Sequence, residues 1–457
     1  MAEKLIISIS GMRGIVGENL TPSIAAEYAC AFGTFLKQNA AGRNKLRVCV
    51  GRDSRPSGQM LTSAVISGLC SVGINAIDLG LVITPSVGVM LRELDCEGGV
   101  MITASHNPIP YNGIKLLLAD GMAPPAEKAG RIREIYLERK FGFVDSPACG
   151  KVEFNFQTYD IHIGKVLSLV DRKAVSSKQF KVVLDSVNGA GAPITKKLLA
   201  ELGCQTIAIN DEPTGIFEHT PEPLAENLRG LCEVVTAKKA DIGFAQDPDA
   251  DRLAIVDEKG RYIGEEYTLA LSAEYILKRK KGPAATNLST SRMIDDIARK
   301  AGCEVLRTPV GEANVASEMI KRNCVIGGEG NGGVIDLRVG PIRDSLVGIV
   351  LILQLMAETG KTVGQLVEDI GGYYMSKEKF KADQSQAEQI INGTKALFAQ
   401  AKLDTSDGCR IDFEDGWLHL RTSNTEPVMR LIVEANDKAA AQKYINAVHE
   451  IRNEVMG

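Results

Sequence analysis

The sequence predicts an α/β protein of several domains, and three observations carry that reading. Short β-branched runs alternate with stretches of period 3.6, the mark of βαβ units whose mostly parallel sheets are covered by helices. The chain has 457 residues, too many for one hydrophobic core, so two to four domains are expected. At 44% hydrophobic and 24% charged residues, its composition is that of an ordinary globular protein.

The elements follow in order. Arg47–Val50 reads as a strand and Gly58–Ser71 as the helix after it. Val100–Ile102 is a buried strand leading into a loop at Ser105. Lys181–Asp185 is a strand, followed by a glycine-rich turn and a helix around Ile194–Leu202. Ile242–Ala245 leads into Asp247, and Leu253–Asp257 is one more strand. Strand, turn, helix and strand recur roughly every hundred residues, which suggests three similar α/β units. Near Gly371-Gly372 the character changes. A helical stretch at Gln386–Ala401 precedes strand-like Cys409–Phe413, Trp417–Arg421 and Arg430–Glu434, then a last helix. Strands pairing beside helices make this a smaller α+β domain. The expected divisions are 1–150, 151–254, 255–370 and 371–457.

Bulk properties exclude several classes. A formal net charge of −4 argues against a nucleic-acid surface. Leu5-Ile6-Ile7 is too short for a signal peptide, and no run reaches about 18 apolar residues, so no membrane span is expected. Ten cysteines without a CxxC or CxxH pair suit buried thiols in a reducing compartment, and the expected location is cytoplasmic. No Walker A sequence is present to hold a nucleotide.

Four segments carry chemistry. In Asp247-Pro248-Asp249-Ala250-Asp251-Arg252, three carboxylates at alternate positions can converge on one hard cation, which also relieves their repulsion. A solvated acidic turn and the strand-end Asp-x-Asp of an aspartyl-phosphate phosphatase fit the same spacing. An EF-hand does not, because Arg252 stands where its sixth position needs glycine. In Ser105-His106-Asn107-Pro108, a serine after a buried strand lies at the carboxyl edge, where open sheets bind ligands; a plain turn would read the same way. Adjacent side chains usually point apart, so Ser105 and His106 are not expected to pair. Asn112-Gly113-Ile114-Lys115 reads as a turn with one lysine, a candidate acid or base. Arg421 to Pro427, with Arg430 beyond, offers arginines, hydroxyls and turn amides as a phosphate cradle, or else a polar hairpin loop. In Gly327–Gly333, glycines allow close backbone approach and a mobile loop, and Glu329 and Asn331 can bind sugar hydroxyls; taken alone, the run reads as a flexible turn between strands.

These segments, in this order, resemble the α-D-phosphohexomutases over essentially the whole chain. Thr103–Pro108 resembles the family's phosphoserine loop, Asp247–Arg252 its metal loop, Gly328–Gly332 its sugar-recognition loop and Arg421–Pro427 its phosphate loop. Arg13-Gly14, Gly51–Arg55, Thr84-Pro85 and Asn112–Lys115 match further. The resemblance implies four domains around a central cleft, three similar α/β domains with mixed sheets plus the smaller C-terminal one. It implies interconversion of hexose 6-phosphate and hexose 1-phosphate through phosphoserine at Ser105 and a bisphosphorylated sugar. Mg²⁺ would be held by Ser105, Asp247, Asp249 and Asp251. Lys115 is the candidate acid/base, with His106, Arg13 and Arg252 in support. Glu329 and Asn331 would bind the sugar, and Arg421, Ser423, Asn424, Thr425 and Arg430 the phosphate that is not reacting. Hexose 1,6-bisphosphate is the implied activator, and a monomer or homodimer the expected assembly. One departure stands out: many members carry serine and histidine where this chain has Gly330-Asn331-Gly332-Gly333. That loop, with Val310–Val315, looks most like archaeal and Bacteroidetes phosphoglucosamine mutases. Phosphoglucomutase/phosphomannomutase is the alternative. A metal-dependent sugar phosphatase and a non-catalytic sugar-phosphate binder are more remote.

Overall fold

The computed structural model describes residues 5–9, 11–40, 42, 45–422 and 428–457. Four sheets follow one another along the chain. The first three share a plan: three parallel strands, with a fourth returning antiparallel beside the third. In the first sheet the strands are Arg47–Arg52, Asn75–Leu81, Gly98–Ile102 and the returning Tyr111–Leu118. In the second they are Lys181–Asp185, Gln205–Ile209, Ile242–Gln246 and Leu253–Val256. In the third they are Ala284–Asn287, Val305–Thr308, Ile326–Glu329 and Gly333–Ile335. The first sheet adds Gly11–Ile15 and Ile6–Ser8 on one edge and Val152–Phe154 on the other. The recurrence expected from the sequence is therefore real, and each sheet is mixed rather than purely parallel.

The loop joining third and fourth strands carries candidate site residues each time. It carries Ser105 in the first sheet, Asp247–Asp251 in the second and Gly330–Gly332 in the third. A short return after a buried strand leaves polar side chains at the carboxyl edge, where ligands bind open sheets.

The fourth sheet is antiparallel throughout, in the order Tyr374–Lys381, Val428–Ala435, Gly416–Thr422, Cys409–Asp412, Lys402–Asp404. Helices Gln384–Leu397 and Lys438–Met456 cover it, and Asp383 and Asp437 cap their first turns.

Packing separates this last unit from the rest. The strands of the first sheet pack in a cluster of their own, and a second apolar cluster joins the first three units, from Ile83 and Val89 at the helix beside the first sheet through Val182 and Phe244 to Ile326 and Val334. Its axis is the helix Ser345–Thr359, apolar on every side and capped by Asp344, as befits a helix surrounded by protein. His162 ties the same units together, its Nδ1 2.8 Å from Ser86 Oγ and its Nε2 2.7 Å from Asp344 Oδ2. The fourth unit has its own cluster, Ala387 to Val448. Among the described residues no single helix is long and apolar enough to cross a membrane.

Candidate active site

Ser105 follows the buried strand Gly98–Ile102 and is itself almost fully buried. Its φ is +51°, a left-handed conformation uncommon outside glycine. Thr103 holds it there: Thr103 Oγ1 accepts from Ser105 N at 2.9 Å and donates to Asp53 Oδ2 at 2.6 Å. Ser105 Oγ donates to Asp247 Oδ2 at 3.1 Å. It also lies 3.4 Å from His106 Nδ1, which corrects the expectation that the two neighbours point apart. The left-handed backbone at Ser105 rotates them onto one side. Arg252, burial and Arg13 together push the His106 imidazole well below its usual range, so the ring is neutral near pH 7.

Asp247, Asp249 and Asp251 are fully buried, and one oxygen of each lies within 4.8 Å of the others. Asp249 Oδ2 accepts from Thr84 Oγ1 at 2.5 Å and from Lys115 Nζ at 2.6 Å. Asp251 Oδ2 accepts from Arg343 Nη2 at 2.7 Å, with Lys115 Nζ at 3.6 Å. Burial opposes charge on all three. Lys115 and Thr84 outweigh it at Asp249, and chiefly Arg343 does so at Asp251, leaving both below the usual carboxylate range. Burial and the two neighbouring aspartates push Asp247 well above that range. Asp249 Oδ1 and Asp251 Oδ1 are buried without a hydrogen-bond partner. Buried carboxylate oxygens without donors are costly, and clustered ones suit a hard cation that takes oxygen ligands.

Lys115 does not sit in a turn. It lies mid-strand in Tyr111–Leu118, opposite Gly11 on one side and Met101 on the other. Gly113 is glycine for close packing, since a Cβ would strike the carbonyls of Thr103 and Met12. Burial works against the Lys115 ammonium, but Asp249 and Asp251 more than compensate and keep it charged. Arg13, on the neighbouring strand, donates to Asn107 Oδ1 at 3.1 Å. Arg252 lies 3.6 Å from Glu222 and 3.9 Å from Asp251.

Both oxygens of Glu329 are engaged. Oε1 accepts from Asn287 Nδ2 at 2.7 Å and Gly311 N at 3.1 Å, and Oε2 from Arg343 Nη1 at 2.8 Å. Asn331 Oδ1 is buried without a partner. The glycines here serve close packing: a Cβ on Gly330 would overlap the Glu266 carboxylate, and one on Gly332 the backbone of Leu253.

Arg421 and Arg430 face each other across adjacent antiparallel strands. Arg421 Nε donates to Asp407 Oδ2 at 3.0 Å, whereas Arg430 Nε is buried without a hydrogen-bond partner. Two facing arginines repel, and an anion relieves this. Ser423, Asn424 and Thr425 lie outside the described residues.

Ser105, His106, Lys115, the three aspartates and Glu329 thus form one connected network, with Arg343 as its bridge. Spacing alone did not find Arg343: Pro341-Ile342-Arg343-Asp344 has no pattern to mark it. The arginines of the fourth sheet join the third unit by other contacts, Asp407 accepting from Val310 N at 3.0 Å and His419 Nδ1 lying 2.8 Å from Ser289 Oγ.

Comparison with known proteins settles the family. Residues 5–142, 159–260 and 265–373 match the models of phosphoglucomutase/phosphomannomutase alpha/beta/alpha domains I, II and III, and residues 376–451 match the C-terminal domain. The chain belongs to the α-D-phosphohexomutases. As a phosphohexomutase it is an isomerase that transfers phosphate within one sugar. Among its relatives, a phosphoglucomutase/phosphomannomutase of Thermococcus kodakarensis is 39% identical over 445 residues, 95% of each chain. A protein of Methanopyrus kandleri named "Probable phosphoglucosamine mutase" is 36% identical over 95% of this chain and 94% of its own. The crystal structure of a phosphoglucomutase/phosphomannomutase family protein from Burkholderia thailandensis superposes with a TM-score of 0.88 at 25% identity, covering 99% of this phosphohexomutase and 97% of that chain.

Proposed function

We propose that this phosphohexomutase carries its phosphate on Ser105 and acts preferentially on glucosamine phosphate. The observation that carries the first half is the placement of Ser105 Oγ 3.1 Å from Asp247, in a carboxylate cluster with two orphaned oxygens. Asp247, Asp249 and Asp251, with the Ser105 phosphate, would hold Mg²⁺. When bound, it neutralises charge on the phosphoryl group during transfer.

The residues then divide the work. A hydroxyl of the sugar monophosphate attacks the phosphorus of phosphoserine; the bond to Ser105 Oγ breaks and the sugar becomes a bisphosphate. The intermediate turns over in the cleft. Ser105 Oγ attacks its other phosphate, which restores phosphoserine and releases the isomeric monophosphate. Lys115, held as an ammonium, donates a proton to the departing Ser105 oxygen and, as the amine, takes up the proton that the attacking hydroxyl loses. Arg13, Arg252 and neutral His106 line the transfer path. Glu329 and Asn331 hold ring hydroxyls in both poses. Arg421 and Arg430, with Ser423, Asn424 and Thr425, hold the phosphate not being transferred. Hexose 1,6-bisphosphate activates the enzyme by phosphorylating free Ser105.

The glucosamine preference rests on the Glu-Gly-Asn-Gly-Gly loop and on relatives of that name. Glucose and mannose phosphates are the second reading, supported by the Thermococcus relative. The phosphatase reading is disfavoured because Asp247, its required nucleophile, is occupied accepting the Ser105 hydroxyl. The test compares turnover of glucosamine 6-phosphate, glucose 1-phosphate and mannose 1-phosphate with Mg²⁺ and a catalytic amount of hexose bisphosphate. The highest kcat/KM is expected with glucosamine 6-phosphate. Ser105→Ala is expected to abolish turnover of all three; near-normal rates would reject Ser105 as the carrier.

A further inference from the structure

Arg55 is an arginine with a 1% exposed side chain, and it makes no contact with any of the carboxylates around Ser105 Oγ that the site uses. Its guanidinium instead spends four of its five N–H groups on backbone carbonyls beneath them and the fifth on the Asp53 carboxylate. Nε donates to Asp53 Oδ2 at 3.2 Å. Nη1 donates to the carbonyls of Pro108 at 2.9 Å and Tyr111 at 3.0 Å. Nη2 donates to the carbonyls of Ser105 at 2.7 Å and Asn107 at 2.6 Å. Five donors in a fixed planar fork are what guanidinium supplies and ammonium cannot.

The loop needs such a hold. Residues 103–110 leave one strand and return antiparallel, with Ser105 in a left-handed conformation that a non-glycine residue adopts at a cost. Three of its carbonyls, those of Ser105, Asn107 and Pro108, turn onto Arg55, and so does that of Tyr111 just beyond. Asp53 closes the frame from the other side, since it binds both Arg55 and Thr103, and Thr103 binds Ser105 N.

A second unit of the chain covers this clamp. The Phe217 ring lies 5.0 Å from the guanidinium carbon, a cation–π distance, and Gly215 packs so closely on Arg55 that a Cβ would overlap its backbone. Ser54 Oγ donates to Asn188 O at 2.8 Å, which fixes the two units to each other at the same point. Ser105 comes from the first sheet and Asp247 from the second, so their 3.1 Å separation depends on this junction.

We propose that Arg55, capped by Phe217, is the positioning residue for the phosphate carrier: it holds the Ser105 loop in its left-handed form and sets the carrier oxygen against the metal loop. The inference rests on Ser105 being the carrier. Arg55 is buried with every N–H engaged by the protein, so its loss acts on transfer and not on sugar binding.

The test is steady-state kinetics of Arg55→Lys, which keeps the charge and loses the fork, and of Phe217→Ala, a partly exposed loop position whose change spares the fold. Arg55→Lys is expected to lower kcat at least tenfold with the sugar-phosphate KM within threefold. Phe217→Ala is expected to lower kcat several-fold, again at constant KM and with an unchanged unfolding midpoint. Such a split marks loss of an interaction needed in the transition state. Both variants keeping kcat, or losing KM in proportion, would overturn the proposal. Ser105→Ala run in parallel separates the two ideas. If it stays active the carrier assignment falls; if it is dead while both variants behave as wild type, only the role of Arg55 falls.

Discussion

At the scale of single residues, charge is arranged so that each removal exposes a neighbour. Arg343 binds Asp251, Glu329 and Glu312 at 2.7, 2.8 and 2.9 Å, all three on buried or nearly buried carboxylates. Arg343→Met strands them, and the expected loss of stability is about 3–5 kcal/mol by denaturant titration. Glu266 gives a pH signature. Burial, only partly offset by Lys377, pushes its carboxyl up to about 7 from 4.5. The folded state therefore holds this proton more tightly than the unfolded state. Its contribution to stability is complete below about pH 4.5 and is lost as pH rises through about 7, a fall of about 3 kcal/mol at most. Glu266→Gln should flatten the stability profile across that window, measured by urea unfolding at a series of pH values. Sequence revealed residues of this kind unevenly. The three aspartates were legible because they sit at alternate positions in one short run. Arg343 was not, since it gathers carboxylates from segments far apart in the chain. The pairing of Ser105 with His106 was missed because it depends on one backbone angle.

At the scale of elements, the loop after the third strand carries candidate site residues in each of the three mixed sheets, and glycine lets the loops meet the rest of the protein. In the loop of the third sheet, the space a side chain at 330 would fill belongs to Glu266. Gly330→Ala should displace Asn331 and raise the sugar-phosphate KM tenfold or more, whereas the double variant Gly330→Ala with Glu266→Ala should recover much of the loss. A double-mutant cycle on kcat/KM measures that coupling, and simple additivity would refute it. The glycine run was visible in the sequence, but its reason was not: a packed partner as far along the chain as Glu266 leaves no local trace. The strand Tyr111–Leu118 was misread for a related cause. Asn112-Gly113 has turn chemistry, yet Gly113 is there so that three strands can approach.

At the scale of the molecule, the candidate cation site is assembled from separate sheets, Ser105 from the first and the aspartates from the second, with Lys115 and Arg343 reaching in from the first and third units. A cation bound there stabilises the folded chain alone. Free Mg²⁺ a hundredfold above its dissociation constant should add about 2.7 kcal/mol, seen as a raised thermal midpoint that chelator reverses. Asp249→Asn should abolish the rise. The alternation of strands and helices made the three α/β units and the different C-terminal unit readable from sequence, because periodicity survives without tertiary information. Which units share a core was not readable, since every apolar strand looks equally buried. That division has a practical consequence. The fourth unit closes its own apolar cluster, and its contacts with the third are polar, among them Lys377 with Glu265 and Arg292 with the carbonyl of Gly416. It is therefore a transplantable module: chimeras that exchange the chain beyond residue 373 between relatives can set one three-sheet body against a series of different fourth units.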